Sequence, residues 1–132
     1  MANLARAGAR NPKVRAYAKT IPSPYQIDET LRSVFRYRDE EEEIVRTPEF
    51  MFHDLESLGY LEGDCDDIAT FTASLTKAMN VPTRLTGIQS TPSNEYDHVF
   101  SEYMTDKNWV PIDLTVEPGT VYKVYGIMTE AV

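Results

Sequence analysis

The sequence has few of the residues that build cross-links and metal sites. It holds one cysteine, Cys65, and two histidines among 132 residues. A single cysteine excludes an internal disulfide and a metal site made of several thiolates. No apolar run approaches the ~20 residues that a membrane-spanning helix needs, and the opening MANLARAGAR lacks the apolar stretch of a secretory signal. We therefore expect a cytoplasmic protein that uses no metal and no cofactor.

Basic residues are scarce beyond the first 27 positions. The formal net charge is −8, which repels nucleic-acid phosphates and anionic lipid surfaces. Residues 1–27 carry five basic side chains and no acidic one, so the rest of the chain carries all 21 acidic side chains against eight basic ones. We expect neither a nucleic acid nor a membrane as a partner.

Residues 1–20 are interpreted as a basic N-terminal arm or short helix, ahead of a single domain over residues 21–132. Asn11 and Pro12 suit an N-cap and a first helical residue, and this helix runs to about Lys19. The small residues before it favour a frayed, solvated terminus. A basic segment ahead of an acidic body also suits a tail that docks on a protein partner or on the body itself.

Two helices are predicted in the next part of the chain. Apolar residues from Ile27 onward recur at helical spacing and predict a helix that ends near Tyr37. The run Asp39–Glu43 is interpreted as a solvated acidic loop. A second helix begins at Thr47-Pro48 and ends before Gly59, which suits a left-handed C-cap.

The helix after Asp64 matters most for function. The Asp64 side chain suits the N-cap, and Asp67 stands three residues later, where a carboxylate favours the first turn. The following residues form an apolar stripe at helical spacing. This pattern places Cys65 in the first turn of a helix that packs on the core.

Beyond Pro82 the apolar spacing changes from helical to strand-like. Strands are predicted over four segments: Thr83–Gln89, Glu95–Met104, Trp109–Val116 and Val121–Tyr125. Helices followed by a meander of strands indicate the α+β class, with N-terminal helices packed on a C-terminal antiparallel sheet.

Cys65, His98 and Asp113 follow the order of a cysteine nucleophile, a base and an orienting carboxylate. His98 and Asp113 are 15 positions apart, and such an odd separation puts both on one face of a hairpin whose loop has an even length and no bulge. A two- or four-residue loop around Thr105–Asn108 would bring the ring and the carboxylate within hydrogen-bond reach. Pro111 predicts an edge strand or a bulge, and a bulge would undo this parity.

Each of these three residues also has a structural explanation. A lone cysteine is commonly a small core residue. His98 suits a hydrogen-bonded position on a half-buried strand, and Asp113 suits an anchor for the turn that follows. The residues alone leave both interpretations open.

Two segments of the sequence, GDCDDIATFTASLTKAMNVPTRLTGI and DHVFSEYMTDKNWVPIDLT, resemble the core of the transglutaminase-like superfamily, a papain-related group. The resemblance covers roughly Thr47 to Val116. Its blocks are a Gly-x-Cys that opens a helix, a His-Val-aromatic-x-Glu strand and a Trp-Val-Pro-hydrophobic-Asp strand. Two upstream segments, Phe35-Arg36-Tyr37 and Arg46-Thr47-Pro48-Glu49, look like those of prokaryotic and phage members.

The resemblance implies a papain-like core in which Cys65 is the nucleophile, His98 the base and later the acid, and Asp113 the residue that orients the ring. The backbone N–H of Cys65 supplies one hydrogen bond to an oxyanion. Tyr37 or Gln26 is predicted as the second donor. The calcium dependence of large crosslinking members is not carried over, because the chain lacks their flanking domains.

The sequence therefore predicts a cysteine enzyme that cleaves or transfers a protein or peptide amide through a thioester. Peptidase or amidase activity is favoured over protein crosslinking by analogy with small prokaryotic and phage members. The alternative is an inactive binding protein of the same fold, such as a phage-associated structural or accessory component. A phage-encoded chain would act in the host cytoplasm or in the virion.

Overall fold

The computed structural model describes residues 1–39 and 44–132. Most of the predicted acidic loop, residues 40–43, lies outside them. Within the described residues, helices come first and strands dominate the second half, which confirms the α+β class. The elements are α1 Ala2–Arg10, α2 Pro12–Thr20, α3 Tyr25–Arg32, β1 Phe35–Tyr37, α4 Pro48–Leu58, β2 Leu61–Gly63, α5 Cys65–Ala78, β3 Thr83–Gln89, β4 His98–Thr105, β5 Asn108–Ile112 and β6 Gly126–Ala131.

The main sheet is antiparallel and has the strand order β5-β4-β3-β6. Its β3 runs over the predicted residues, while β4 and β5 begin or end a few residues away from the prediction. Pro111 lies on β5, an edge strand, as its missing N–H requires. A separate pair of short strands, β1 and β2, runs parallel, with Tyr37 opposite Gly63.

Helix α5 lies at the centre of the fold, and residues 67–76 are all buried. Phe71 and Leu75 pack in the main apolar cluster with side chains from α2, α3, α4 and the sheet. Buried hydroxyls join the helix to the strands, as in the 2.7 Å contact between Thr72 and Ser101. Because each hydroxyl has a partner, burying these polar groups costs little.

The expectation of a frayed N-terminus is wrong. Helix α1 buries Ala2, Ala5 and Gly8 and packs against α5, since small side chains let two helix backbones approach closely. Helix α2 begins as predicted, with the Asn11 side chain accepting hydrogen bonds from the second and third residues that follow it. Arg6, Arg10, Arg15 and Lys77 surround one shallow depression. A protein partner for this basic segment stays a prediction.

Two further expectations are corrected. The predicted helix to Tyr37 ends at Arg32, and the next residues pair with β2 instead, because Phe35 and its neighbours favour extended backbone. The last strand is Gly126–Ala131, while Val121–Tyr125 forms an irregular segment before it. There Tyr122 turns inward to bind a carboxylate rather than alternating along a strand.

The packing of α1 gives a prediction at Gly8. A Cβ at this position would lie 2.5 Å from Pro48 Cβ and 3.1 Å from Ser74 Cβ. We expect Gly8→Ala to lower the free energy of unfolding by about 1–3 kcal/mol, although the same change in a solvated helix would raise it by up to about 1 kcal/mol. Urea denaturation measures the difference.

The control is Ala7→Leu at an exposed position of the same helix, where the effect should stay within about 0.5 kcal/mol. A Gly8→Ala protein as stable as the wild type would contradict the packing of α1.

Candidate active site

The N-terminus of α5 is held by a capping box. The Asp64 side chain accepts from the N–H groups of Asp66 and Asp67, at 3.1 and 3.2 Å, and the Asp67 carboxylate accepts from the N–H of Asp64. None of these bonds uses the N–H of Cys65. A Cβ on Gly63 would lie 2.6 Å from Asp67 Oδ2, so glycine is required two residues before the cysteine.

Cys65 is partly exposed at this helix end. Its Sγ lies 3.9 Å from Asp66 Oδ1. Cys65 and His98 both line an open groove of about 690 Å³. The sulfur is therefore within reach of a molecule from solvent.

The predicted pairing of His98 and Asp113 is confirmed. Thr105 pairs with Asn108, so the turn between β4 and β5 has two residues and keeps the even loop that parity requires. His98 opens β4, Asp113 follows the last residue of β5, and His98 Nε2 lies 2.6 Å from Asp113 Oδ2. Because Asp113 binds Nε2, the other ring nitrogen, Nδ1, remains for Cys65.

Asp113 is buried and is held by several donors. Besides His98, it accepts from the backbone N–H and hydroxyl of Thr115, at 3.0 and 2.6 Å, and from the hydroxyl of Tyr122. Burial opposes ionisation of Asp113, but the hydrogen bonds from His98, Thr115 and Tyr122 outweigh it and lower the pKa of this carboxyl group. The group is therefore a carboxylate at neutral pH.

Tyr122 is a residue of the site that the sequence analysis missed. Its ring stacks on Phe100 with a centroid distance of 5.1 Å and lies 5.7 Å from the His98 ring. Burial, and then the hydrogen bond to Asp113, raise the pKa of Tyr122, so its hydroxyl stays a donor. The apolar residues of Val121–Tyr125 predict a strand here, and the position of Tyr122 depends on chain segments that are distant in sequence.

Arg32 fixes the backbone after Asp113 and is a second residue of the site that the sequence did not predict. Its guanidinium forms a two-point ion pair with Asp28 at 2.8 Å, one turn earlier on α3. It also donates to the carbonyls of Asp113 and Val116, at 3.1 and 2.6 Å. Helix α3 thereby positions the segment that carries the carboxylate.

The charge on His98 follows from these contacts. The hydrogen bond to Asp113 is the largest cause, a hydrogen bond with Cys65 is the second, and together they raise the pKa of His98 to about 10 although burial opposes the charge. His98 is thus an imidazolium at neutral pH, beside both the carboxylate and Cys65.

The structure distinguishes between Tyr37 and Gln26, the two residues predicted as the second oxyanion donor. Tyr37 lies opposite Gly63, and burial, a hydrogen bond with Asp39 and the nearby Cys65 raise the pKa of Tyr37 to about 12. Gln26 is exposed on α3, with Ser23 as its side-chain partner. Its neighbour Tyr25 contacts Thr105, at the far end of β4 from His98, so no described contact brings Gln26 to the site.

Glu102 lies on the same side of β4 as His98 but has its own partners. It is buried and accepts from Arg84 Nε at 2.9 Å and from the Thr86 hydroxyl. The Arg84 guanidinium in turn lies 4.1 Å from the centre of the Trp109 ring. Glu102 thus has partners other than His98, and Asp113 is the carboxylate that binds the ring.

Two other kinds of feature are absent from residues 1–39 and 44–132. No cluster of three or more histidine, cysteine, aspartate or glutamate side chains is arranged to hold a metal ion. Nor does any helix of this part of the chain have the length and apolar character to cross a bilayer.

A helix that begins at a cysteine, packed on an antiparallel sheet that carries a histidine–aspartate pair, is the arrangement of papain-like cysteine enzymes. A family model of the transglutaminase-like superfamily matches residues 11–114. The chain belongs to this superfamily. A search of the curated proteins finds no match to the sequence.

Among solved structures, the chain is similar to a protein from Cytophaga hutchinsonii described as a candidate cysteine protease. The TM-score is 0.64 at 16% sequence identity, and the match covers 91% of this chain and 48% of that protein. The chain thus spans about half of its length. At this identity the likeness establishes the papain-like, transglutaminase-like fold.

The hydrogen bond between His98 and Asp113 gives a prediction for the titration of the ring. Asp113→Asn removes the largest cause of the raised pKa, so the pKa of His98 should fall from about 10 towards its ordinary value. In the wild type, the raised pKa of His98 increases the free energy of unfolding. This contribution is complete below pH 6.5, the ordinary histidine pKa, and is lost as the pH rises through about 10. NMR titration of the ring protons measures the pKa of His98 in both proteins.

The control is Asp97→Asn, which removes an exposed carboxylate next to His98 in sequence that binds Ser90 instead. It should move the His98 titration far less. A titration unchanged by Asp113→Asn would show that the carboxylate does not control the ring.

Proposed function

We propose that this chain is a cysteine enzyme that acts on an amide bond through a thioester on Cys65. The observation that carries the proposal is the groove that Cys65 and His98 line together, with the His98 ring bound to Asp113. A nucleophile, a proton carrier and an orienting carboxylate are the groups that this chemistry requires.

Before reaction, the proton of the Cys65 thiol resides on His98 Nδ1 as a thiolate–imidazolium pair, and in the first step the thiolate sulfur attacks the carbonyl carbon of the amide. The carbonyl oxygen becomes an oxyanion, which the N–H of Cys65 binds, with Tyr37 proposed as the second donor. His98 then gives its proton to the amide nitrogen, the C–N bond breaks and the amine leaves. The acyl group remains on sulfur as a thioester.

In the second step, the thioester is attacked by water or by an amine. His98 takes a proton from the attacking group, the C–S bond breaks, and the sulfur leaves as a thiolate beside the protonated ring. Water gives a carboxylic acid, and an amine gives a new amide. We favour hydrolysis of a protein or peptide over crosslinking, because small members of the superfamily are the better analogy.

A second candidate function is binding without turnover. The Asp66 carboxylate lies 3.9 Å from the Cys65 sulfur, and a nearby negative charge opposes thiolate formation. If this effect exceeded that of His98, the same fold would serve as a binding or phage-associated accessory protein.

Alkylation by iodoacetamide tests the nucleophile without a substrate. At neutral pH, Cys65 should react faster than free cysteine, because the raised pKa of His98 favours an ion pair with the thiolate. His98→Gln should slow the reaction by about 10- to 100-fold. Mass spectrometry of the carbamidomethyl adduct over time gives the rate constants.

His53→Gln is the matched control, since it replaces the other histidine, which is exposed on α4, and should leave the rate unchanged. A rate equal to that of free cysteine and insensitive to His98→Gln would contradict the proposed nucleophile.

Turnover is tested with fluorescein-labelled denatured casein, with and without a fluorescent primary amine. The wild type should release labelled peptides or incorporate the amine, and Cys65→Ala should reduce either rate by at least about 10³-fold. Circular dichroism and the thermal midpoint of Cys65→Ala establish that the variant is folded. If Cys65 of the wild type reacts fast but casein is not turned over, casein is excluded as a substrate. Equal turnover rates of the wild type and Cys65→Ala would contradict the role of Cys65.

A further inference from the structure

The outer edge of β6 is open beside the candidate active site. Strand β6 is the last strand of the sheet, paired on one side with β3, and no other described strand lies on its other side. Met128, Thr129 and Glu130 of this strand line the groove that contains Cys65 and His98. The following inference rests on the proposed function of that groove.

The backbone groups that β6 turns outward follow from the antiparallel pattern. The Val132 N–H donates to the Thr83 carbonyl at 3.0 Å. The backbone N–H and carbonyl groups of the even-numbered residues of β6 therefore point towards β3, and those of the odd-numbered residues point away from it. Ala131 fits this pattern, because its carbonyl accepts from Arg6 at 2.7 Å and not from β3. Ile127 and Thr129 therefore direct their backbone N–H and carbonyl groups away from the sheet. Such outward groups can form hydrogen bonds with the backbone of an added strand.

Several apolar side chains at or near this edge are exposed. Ile127 is 59% exposed, Met128 57% and Tyr96 46%. Gly87 lies between Tyr96 and Met128, and a Cβ there would sit 3.5 Å from the Tyr96 ring. Gly87 adds no side chain to the groove floor, and the open groove of about 690 Å³ has room for a chain segment to lie across it.

The charge of the groove selects the kind of segment. Asp66, Asp97 and Glu130 line it beside the imidazolium of His98, and neither lysine nor arginine is among its lining residues in the part of the chain that the structure describes. With a formal net charge of −8, the chain repels a second copy of itself and attracts a cationic peptide. A second copy paired through β6 is thus the less favoured occupant.

We propose that the substrate is an extended, lysine- or arginine-rich polypeptide segment that adds to β6 as a fifth strand. Hydrogen bonds to Ile127 and Thr129 hold its backbone, and Asp66, Asp97 and Glu130 attract its basic side chains. Because β3 separates β6 from β4, which carries His98, the residues that follow the paired segment cross the groove and bring an amide carbonyl to Cys65.

The test measures binding of a fluorescein-labelled peptide of alternating lysine and valine, eight residues long, to Cys65→Ala protein. Binding should saturate below about 1 mM, while a glutamate–valine peptide of equal length should not bind. Two isomers of the basic peptide carry N-methyl groups on alternate amides. One isomer should lose affinity at least about tenfold, because the methyl groups replace the N–H donors that face β6, and the other should bind as the parent does.

Two protein variants test the same surface. Thr129→Pro removes an outward N–H at a position where an edge strand tolerates proline and should weaken binding about tenfold, with folding checked by circular dichroism. Glu130→Gln should weaken it about threefold at low salt. Glu56→Gln, an equal charge change at an exposed position of α4, should have no effect.

Equal affinity of the two methylated isomers would overturn strand addition, and equal binding of the basic and acidic peptides would overturn the charge preference. A wild-type dimer in sedimentation velocity that Thr129→Pro dissociates would show that a second copy occupies the edge. Because Cys65→Ala cannot form a thioester, peptide binding is measured independently of catalysis. A reactive Cys65 with no peptide binding would refute this inference alone, and an inert Cys65 would refute the proposed function.

Discussion

The site depends on one buried carboxylate. Asp113 receives hydrogen bonds from His98, Thr115 and Tyr122, and these contacts keep it ionised where burial alone would neutralise it. The same carboxylate fixes the plane of the His98 ring, binds one of its two nitrogens and favours its charged form. A neutral, freely turning imidazole in this position would neither stabilise a thiolate nor present Nδ1 to it. The candidate chemistry of Cys65 therefore rests on a residue that does not itself touch the sulfur.

Local structural features bring Cys65, His98 and Asp113 together. The capping box at Asp64 starts α5 at a defined residue, which leaves the N–H of Cys65 directed out of the helix end. The two-residue turn between β4 and β5 sets the register that joins His98 to Asp113. Arg32 then ties the backbone after Asp113 to α3. Because each feature acts on a different element, the site is held by the whole α+β core rather than by one loop.

Local chemistry explains which features were predictable from the sequence. The cap at Asp64, the C-cap at Gly59 and the parity of His98 and Asp113 each depend on a few neighbouring residues, and the structure has all three. The roles of the site residues in catalysis stay predictions. The contacts of Tyr122 and Arg32 could not be predicted from the sequence, because both residues join segments that only the folded chain brings together. Helix α1 was missed for a related reason: its small residues look like those of a solvated terminus until α5 covers them.

The central claim is that Cys65 and His98 act as one unit in the groove. A crystal structure of the protein after reaction with a peptide aldehyde tests it most directly, because the aldehyde carbon binds only a competent thiolate and copies the tetrahedral intermediate. The account predicts a hemithioacetal on Cys65, with His98 Nδ1 within about 3.5 Å of the new oxygen or the sulfur and Nε2 still bound to Asp113. An unmodified cysteine, or a His98 ring turned away from the adduct, would contradict the account.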